Sequence, residues 1–165
     1  MRPVELTLRP SAPEDASFLK QWLLDPLILY GFPMEGEKEV DDSVRIWMEF
    51  VAKGCGITAL WDGQVCGMTV LYEQTFQKLA HTCLLSIIVS QEYRNRGIGT
   101  ALLEELEKLA KNTFHIEILH LEVYEGNPAK KLYERMGFTP FGRHASFAKE
   151  SDGSYRAKIF MQKNL

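Results

Sequence analysis

Residues Thr82 to Val89 form a nearly continuous apolar run, and the segment Tyr93-Arg94-Asn95-Arg96-Gly97-Ile98-Gly99-Thr100 joins it directly to a long amphipathic pattern. An apolar run without alternation suits a strand covered on both faces. Downstream, Ala101, Leu102, Leu106, Leu109 and Ala110 share one helical face, while Glu104 with Lys108 and Glu107 with Lys111 are spaced for i, i+4 pairs on the other. This spacing predicts a helix from Ile98 onward. The junction gathers amides that lack intrahelical partners, and the helix macrodipole adds partial positive charge, so a helix opening with two glycines is an anion site.

The rest of the chain supplies partners for that unit. Val4 to Leu8 alternates like a strand, Pro13-Glu14-Asp15 opens a helical pattern through Phe18, Leu19, Trp22 and Leu23, and Pro26 with Gly31 to Pro33 breaks it. After an acidic segment, Val44, Trp47, Met48 and Val51 predict a second helix ending at Gly54 to Gly56. Ile57 to Trp61 and Val65 to Tyr72 flank Asp62-Gly63, a hairpin signal. Ile116 to Tyr124 reads as a strand and Pro128 to Met136 as a short helix stopped at Gly137. Phe141 to Ala148 with Tyr155 to Met161 reads as a closing hairpin. The order, with about seven strands, predicts a mixed sheet in an α/β (α+β) layered domain.

One domain spanning residues 1–165 is expected from the length, with 45% apolar and 25% charged residues. A net charge of -3 and a pI near 5.8, without basic clusters interleaved with aromatics, disfavour a nucleic-acid partner. No stretch has signal-peptide character or approaches the length of a membrane span, so a cytoplasmic protein without membrane attachment is expected. Cys55, Cys66 and Cys83 are odd in number and lack C-x-x-C spacing, which argues against disulfides and zinc. They read as small buried hydrophobes, and no metal is expected.

Rival glycine motifs fail by position. A Walker loop needs four residues between its first glycine and a Gly-Lys pair, and a Rossmann fingerprint starting at Gly97 would need glycine where Leu102 stands. What remains, Arg-x-x-Gly-x-Gly between strand and helix, resembles the acetyl-CoA pyrophosphate loop of the GCN5-related N-acetyltransferase (GNAT) superfamily. A second segment strengthens the resemblance: Leu121 to Phe138 reads LEVYEGNPAKKLYERMGF, similar to the superfamily's strand, Asn-bearing turn, and helix carrying Leu-Tyr before Gly-Phe. The element order matches along nearly the whole chain.

The resemblance implies the following roles. Acetyl-CoA would sit in a wedge between the splayed strands Thr82 to Val89 and Ile116 to Tyr124, with helices on both sheet faces. Backbone near Ile88 and Val89 would pair with pantetheine, and amides of Arg94, Asn95, Arg96, Gly97, Ile98, Gly99 and Thr100 would hold the pyrophosphate. Tyr133 would serve as general acid for the departing thiolate. Glu122 matches, in the LEV segment, a catalytic Glu of ribosomal-protein N-terminal acetyltransferases and is the first choice of base; Glu73, His81 or a water are alternatives. Asn127 would contact the cofactor, but it stands six positions before Tyr133 where members commonly have seven, which would put Gly126 in the Asn position.

The expected activity is transfer of acetyl from acetyl-CoA to a primary amine by direct attack, on a small molecule or a protein N-terminus. The alternative is an acyl-CoA sensor of the same fold. The linker holding Glu35, Glu37, Glu39, Asp41 and Asp42 against Lys38 would favour a cationic amine, unless those acids only complement the second helix and solvent. Trp22, Tyr30, Phe32 and Trp47 would either wall the acceptor pocket or belong to the core. The sequence leaves monomer and homodimer equally open.

Overall fold

The computed structural model describes residues 2–165. Its seven strands are β1 (Leu6–Pro10), β2 (Gly56–Trp61), β3 (Gln64–Tyr72), β4 (Thr82–Val89), β5 (Ile118–Tyr124), β6 (Thr139–Lys149) and β7 (Tyr155–Asn164). They form one sheet in the order β1-β2-β3-β4-β5-β7-β6, antiparallel everywhere except between β4 and β5. Asp62 and Gly63 both take positive φ (49° and 82°), the conformation an Asp-Gly hairpin turn requires. The helices are α1 (Ala16–Leu24), α2 (Pro26–Leu29), α3 (Gly36–Val51), α4 (Ile98–Asn112) and α5 (Ala129–Arg135).

Helices cover both faces. A Cβ added at Gly56 would stand 2.6 Å from the Val51 side chain of α3, whereas one at Gly67 would meet Leu102 and Ile98 of α4 at 3.1 and 3.4 Å. Gly56 pairs with Val70, three residues from Gly67, so these two glycines point to opposite faces. Leu19, Leu23, Val40 and Trp47 fill one layer of the core and Leu102, Leu103 and Leu106 the other.

Several boundaries differ from expectation. Three helices, not two, follow β1, because Asp25 caps a separate turn by accepting from the Leu27 amide (3.0 Å) at Pro26. The acidic segment is not a linker but the first turns of α3. Strand β5 starts at Ile118, since the Ile116 amide is taken by Ala110 O (2.9 Å) and the Glu117 amide by His81 O (2.8 Å). Helix α5 is one residue shorter at each end, and β6 and β7 extend further than expected. Neither predicted i, i+4 pair on α4 forms. Lys108 reaches Glu105 (3.6 Å), and Glu107 reaches across to Lys163 of β7 (2.7 Å).

Candidate functional site

The parallel seam between β4 and β5 is short. Thr82, Cys83 and Leu84 pair with Ile118, Leu119 and His120, and pairing stops there. Beyond it, residues 85–89 remain paired to β3 while residues 121–124 remain paired to β7, so the two strands diverge. A cleft of about 1180 Å³ opens between them, lined by both diverging segments, the glycine loop, α5 and the chain around α2. Ile88 and Val89 line it as expected.

One end of the cleft is built from backbone. Asn95 and Gly97 take left-handed conformations (φ 61° and 78°), and no side chain caps α4. The first intrahelical bond runs from the Ala101 amide to Gly97 O (3.1 Å), which leaves the amides of Ile98, Gly99 and Thr100 ahead of the helical ladder. A Cβ at Gly97 would enter open space, whereas one at Gly99 would stand 2.8 Å from Leu132 of α5. Gly99 therefore sets the close approach of α4 and α5 as well as lining the cleft. The two arginines part company: Arg94 lines the cleft, with Nε donating to Val89 O (3.4 Å), while Arg96 lies over the rings of Trp61 and Tyr93 (5.3 and 5.2 Å) outside it.

Tyr133 projects from α5 into this region, 8% exposed, edge-on to Phe138 (6.3 Å). Burial pushes its phenol up to about 12, opposed only in part by the positive charge of Arg94. The same interior acts on thiols: burial raises Cys55 and Cys66 to about 11 and Cys83 to about 12, so all three are inert buried thiols. Asn127 lines the cleft, but its Oδ1 is committed to the Ala129 amide (3.0 Å) at the start of α5. Its Nδ2 faces Gly31.

The other end is built from side chains. Glu122 is on the same sheet face as His120 and Tyr124, and it accepts from Lys158 Nζ of β7 at 3.0 Å. Lys158 is 6% exposed at the side chain, and its ammonium lies 3.9 Å from the centre of the Phe147 ring. Two residues away, the Arg156 guanidinium lies over the rings of Tyr30 (3.8 Å) and Tyr124 (4.0 Å), with Nη1 donating to Tyr30 O (2.6 Å) and to Glu150 (3.3 Å). Burial raises the Tyr124 phenol, and Arg156 opposes that shift.

The other two side-chain base candidates are not brought to the cleft: His81 stands at the closed end of the seam and Glu73 follows β3 outside the lining. His120, which shares the face of Glu122, is outside the lining as well, and burial lowers its pKa against the pull of Glu122. Of the acidic segment, only Glu39 and Asp42 line the cleft. Glu37 and Asp41 are tied to Lys20 (3.0 and 2.8 Å), and Asp42 to Lys38 and Arg45 (3.3 and 3.9 Å). Tyr30, Phe32 and Trp47 line the cleft; Trp22 belongs to the core. Arg156 and Lys158 escaped the sequence reading because alternate cations on a terminal strand look like ordinary solvated positions.

A cleft between diverging strands, with free helix amides at one end and ionisable side chains at the other, has room for an anionic ligand and a second molecule beside it. The chain belongs to the GNAT acetyltransferase family: residues 17–138 match the family model described as Acetyltransferase (GNAT) family, and it is an N-acetyltransferase of that type. It is 29% identical over 125 residues to the L-amino acid N-acetyltransferase AaaT of Escherichia coli K12, covering 71% of this chain and 77% of the relative. Its fold matches the ribosomal-protein-alanine N-acetyltransferase of Brucella melitensis, with a TM-score of 0.83 and 24% identity over 96% and 99% of the two chains. It also matches a phosphinothricin acetyltransferase from Sinorhizobium meliloti in complex with acetyl-CoA, with a TM-score of 0.80 and 23% identity over 97% and 88%. No helix among the described residues is long and apolar enough to cross a membrane.

Proposed function

We propose that this protein moves an acetyl group from acetyl-CoA to a primary amine by direct attack in a ternary complex, with Tyr133 as general acid and Glu122 as base. The observation that carries the reading is the split sheet, with a buried phenol beside the free helix amides. The fit to acetyl-CoA is good: residues 85–89 offer an unpaired strand edge, Gly97 leaves open space, and the first α4 amides are uncapped. Ile88 and Val89 would hold the pantetheine, the loop amides from Arg94 to Thr100 the pyrophosphate, and Asn127 only its free Nδ2. When bound, acetyl-CoA supplies a thioester whose carbonyl takes the amine and whose sulfur departs.

Tyr133 keeps its proton throughout the neutral range. A phenol near 12 is a poor match for a thiol of ordinary pKa about 8.5, which would make proton transfer strongly uphill. Loss of solvent in an apolar cleft raises a thiol in the same direction, which narrows that gap, and the Tyr133 O–H stabilises the departing thiolate as a hydrogen-bond donor before the proton moves. Glu122 is half open to the cleft, and with Oε2 held by Lys158 its Oε1 remains to take a proton from the amine, directly or through water.

The acceptor is an amine of a small molecule or a protein N-terminus. The name of AaaT puts an L-amino acid in that place, and that of the Brucella enzyme an alanine of a ribosomal protein. The deciding experiment records thiol release from acetyl-CoA against a panel of amines, with Tyr133→Phe in parallel. Amine-dependent release that collapses in the variant supports the reading. Tight acetyl-CoA binding without turnover on a broad panel would overturn it.

A further inference from the structure

We infer that the acceptor carries a carboxylate beside its amine, and that Arg156 binds that carboxylate. The inference rests on the acetyltransferase reading and narrows it to amino acids, as against polyamines, aminoglycosides and peptide N-termini. Arg156 lines the cleft, yet its side chain is only 14% exposed. Its guanidinium carbon packs over two aromatic rings, at 3.8 and 4.0 Å. That packing removes most of the rotamer freedom a surface arginine would lose on binding a ligand.

The donor inventory then shows what is left over. A guanidinium has five N–H groups, and Arg156 commits only Nη1, to Tyr30 O and to a 3.3 Å contact with Glu150. Nε and Nη2 make no hydrogen bond to protein among the described residues, and neither is sealed from solvent. A fixed, planar, half-spent guanidinium opening on a cleft is the geometry that binds a carboxylate in a bidentate fork. Lys158 stands two residues along the same strand face, so the sheet places a second cation next to it. Glu122 beyond Lys158 supplies the opposite charge for an ammonium. The order along the face is carboxylate, cation, cation, matching an acceptor with one end of each sign.

Glu150 does not remove the site. It reaches a single corner of the guanidinium from the β6–β7 turn and is partly exposed, a contact that solvent weakens. Of the two α3 acids that line the cleft, Asp42 is tied to Lys38 and Arg45, and Glu39 accepts from the Glu35 amide at the start of the helix.

The test pairs each acceptor with its carboxamide: the L-amino acids, β-alanine and 4-aminobutyrate against their amides, by thiol release from acetyl-CoA. At least one acid is expected to exceed its amide in kcat/KM by roughly 10- to 100-fold, the worth of a charge-assisted hydrogen-bond pair, mainly through KM. Arg156→Gln is expected to abolish that ratio and leave the KM for acetyl-CoA unchanged; Arg156→Lys restores it in part. Should Arg156→Gln fail to fold, the wild-type acid-to-amide ratios decide alone. Amides that match or exceed their acids in every pair would overturn the inference and leave the acetyltransferase reading standing. No thiol release with either member of any pair would overturn the inference alone, and no release on the wider amine panel as well would overturn the acetyltransferase reading with it.

Discussion

The two ends of the cleft are made from different materials. The end at α4 is backbone: a strand edge, two left-handed residues and the uncapped amides of Ile98, Gly99 and Thr100. The end at β7 is side chains drawn from three distant parts of the chain, with Tyr30, Tyr124 and Arg156 stacked together and Lys158 bonded to Glu122. A backbone site depends on conformation, which a handful of adjacent residues determine. A side-chain site depends on packing between elements. The first can stay constant while the second changes acceptor.

That contrast gives graded expectations. Tyr133→Phe, where the two ends meet, should have the largest effect, lowering kcat by about 10²- to 10⁴-fold with little change in acetyl-CoA affinity. Equal losses in both would mean that the phenol holds the donor instead of serving the reaction. In the parent enzyme, kcat should show no alkaline fall assignable to Tyr133 below about pH 10, the reference phenol value, because its raised pKa keeps the proton on.

Gly99→Val should weaken acetyl-CoA binding and also destabilise the fold by about 1–3 kcal/mol, because the new Cβ meets Leu132 at 2.8 Å. Gly97 is the opposite case. There the Cβ meets nothing, and Gly97→Ala should cost about 1–2 kcal/mol through its positive φ alone. Calorimetric binding and thermal melts on the two variants separate these effects.

A control lies outside both ends. Burial works against ionisation of Asp15, but the Arg9 guanidinium, the Ala12 amide and the Thr58 hydroxyl (each 2.8 Å) outweigh it and hold the carboxyl below its usual range. A depressed carboxyl pKa stabilises the fold above the unfolded value of about 3.9, and that stability is lost as pH falls through the folded pKa. Asp15→Asn should flatten the acid limb of a stability-against-pH curve and leave KM for both substrates alone. This is the smallest expected effect on activity.

The same contrast explains what the sequence could reveal. The glycine loop was legible because Gly97 and Gly99 sit between a solid apolar strand and a strongly periodic helix. Tyr133 was legible because it belongs to a continuous segment, LEVYEGNPAKKLYERMGF, whose parts constrain one another. Arg156 was not: its partners Tyr30 and Glu150 come from α2 and a hairpin turn, and no local pattern links position 30 to position 156. The acids of α3 misled for a related reason. Their spacing advertised a charged rim, while Lys20, remote in sequence, neutralises two of them. The extra helix α2 was hidden because four residues are too few for a periodic signal.

The three-residue seam between β4 and β5 makes the sheet, in mechanical terms, two plates sharing a short weld. One plate is β1 to β4 and the other β5 to β7, and the cleft's opening angle is fixed where Cys83 meets Leu119, both fully buried. Anything that loosens the weld changes the gap between donor and acceptor ends without touching a residue at either. Amide exchange at residues 82–84 and 118–120 would then be a gauge of how firmly the enzyme fixes its two substrates relative to each other.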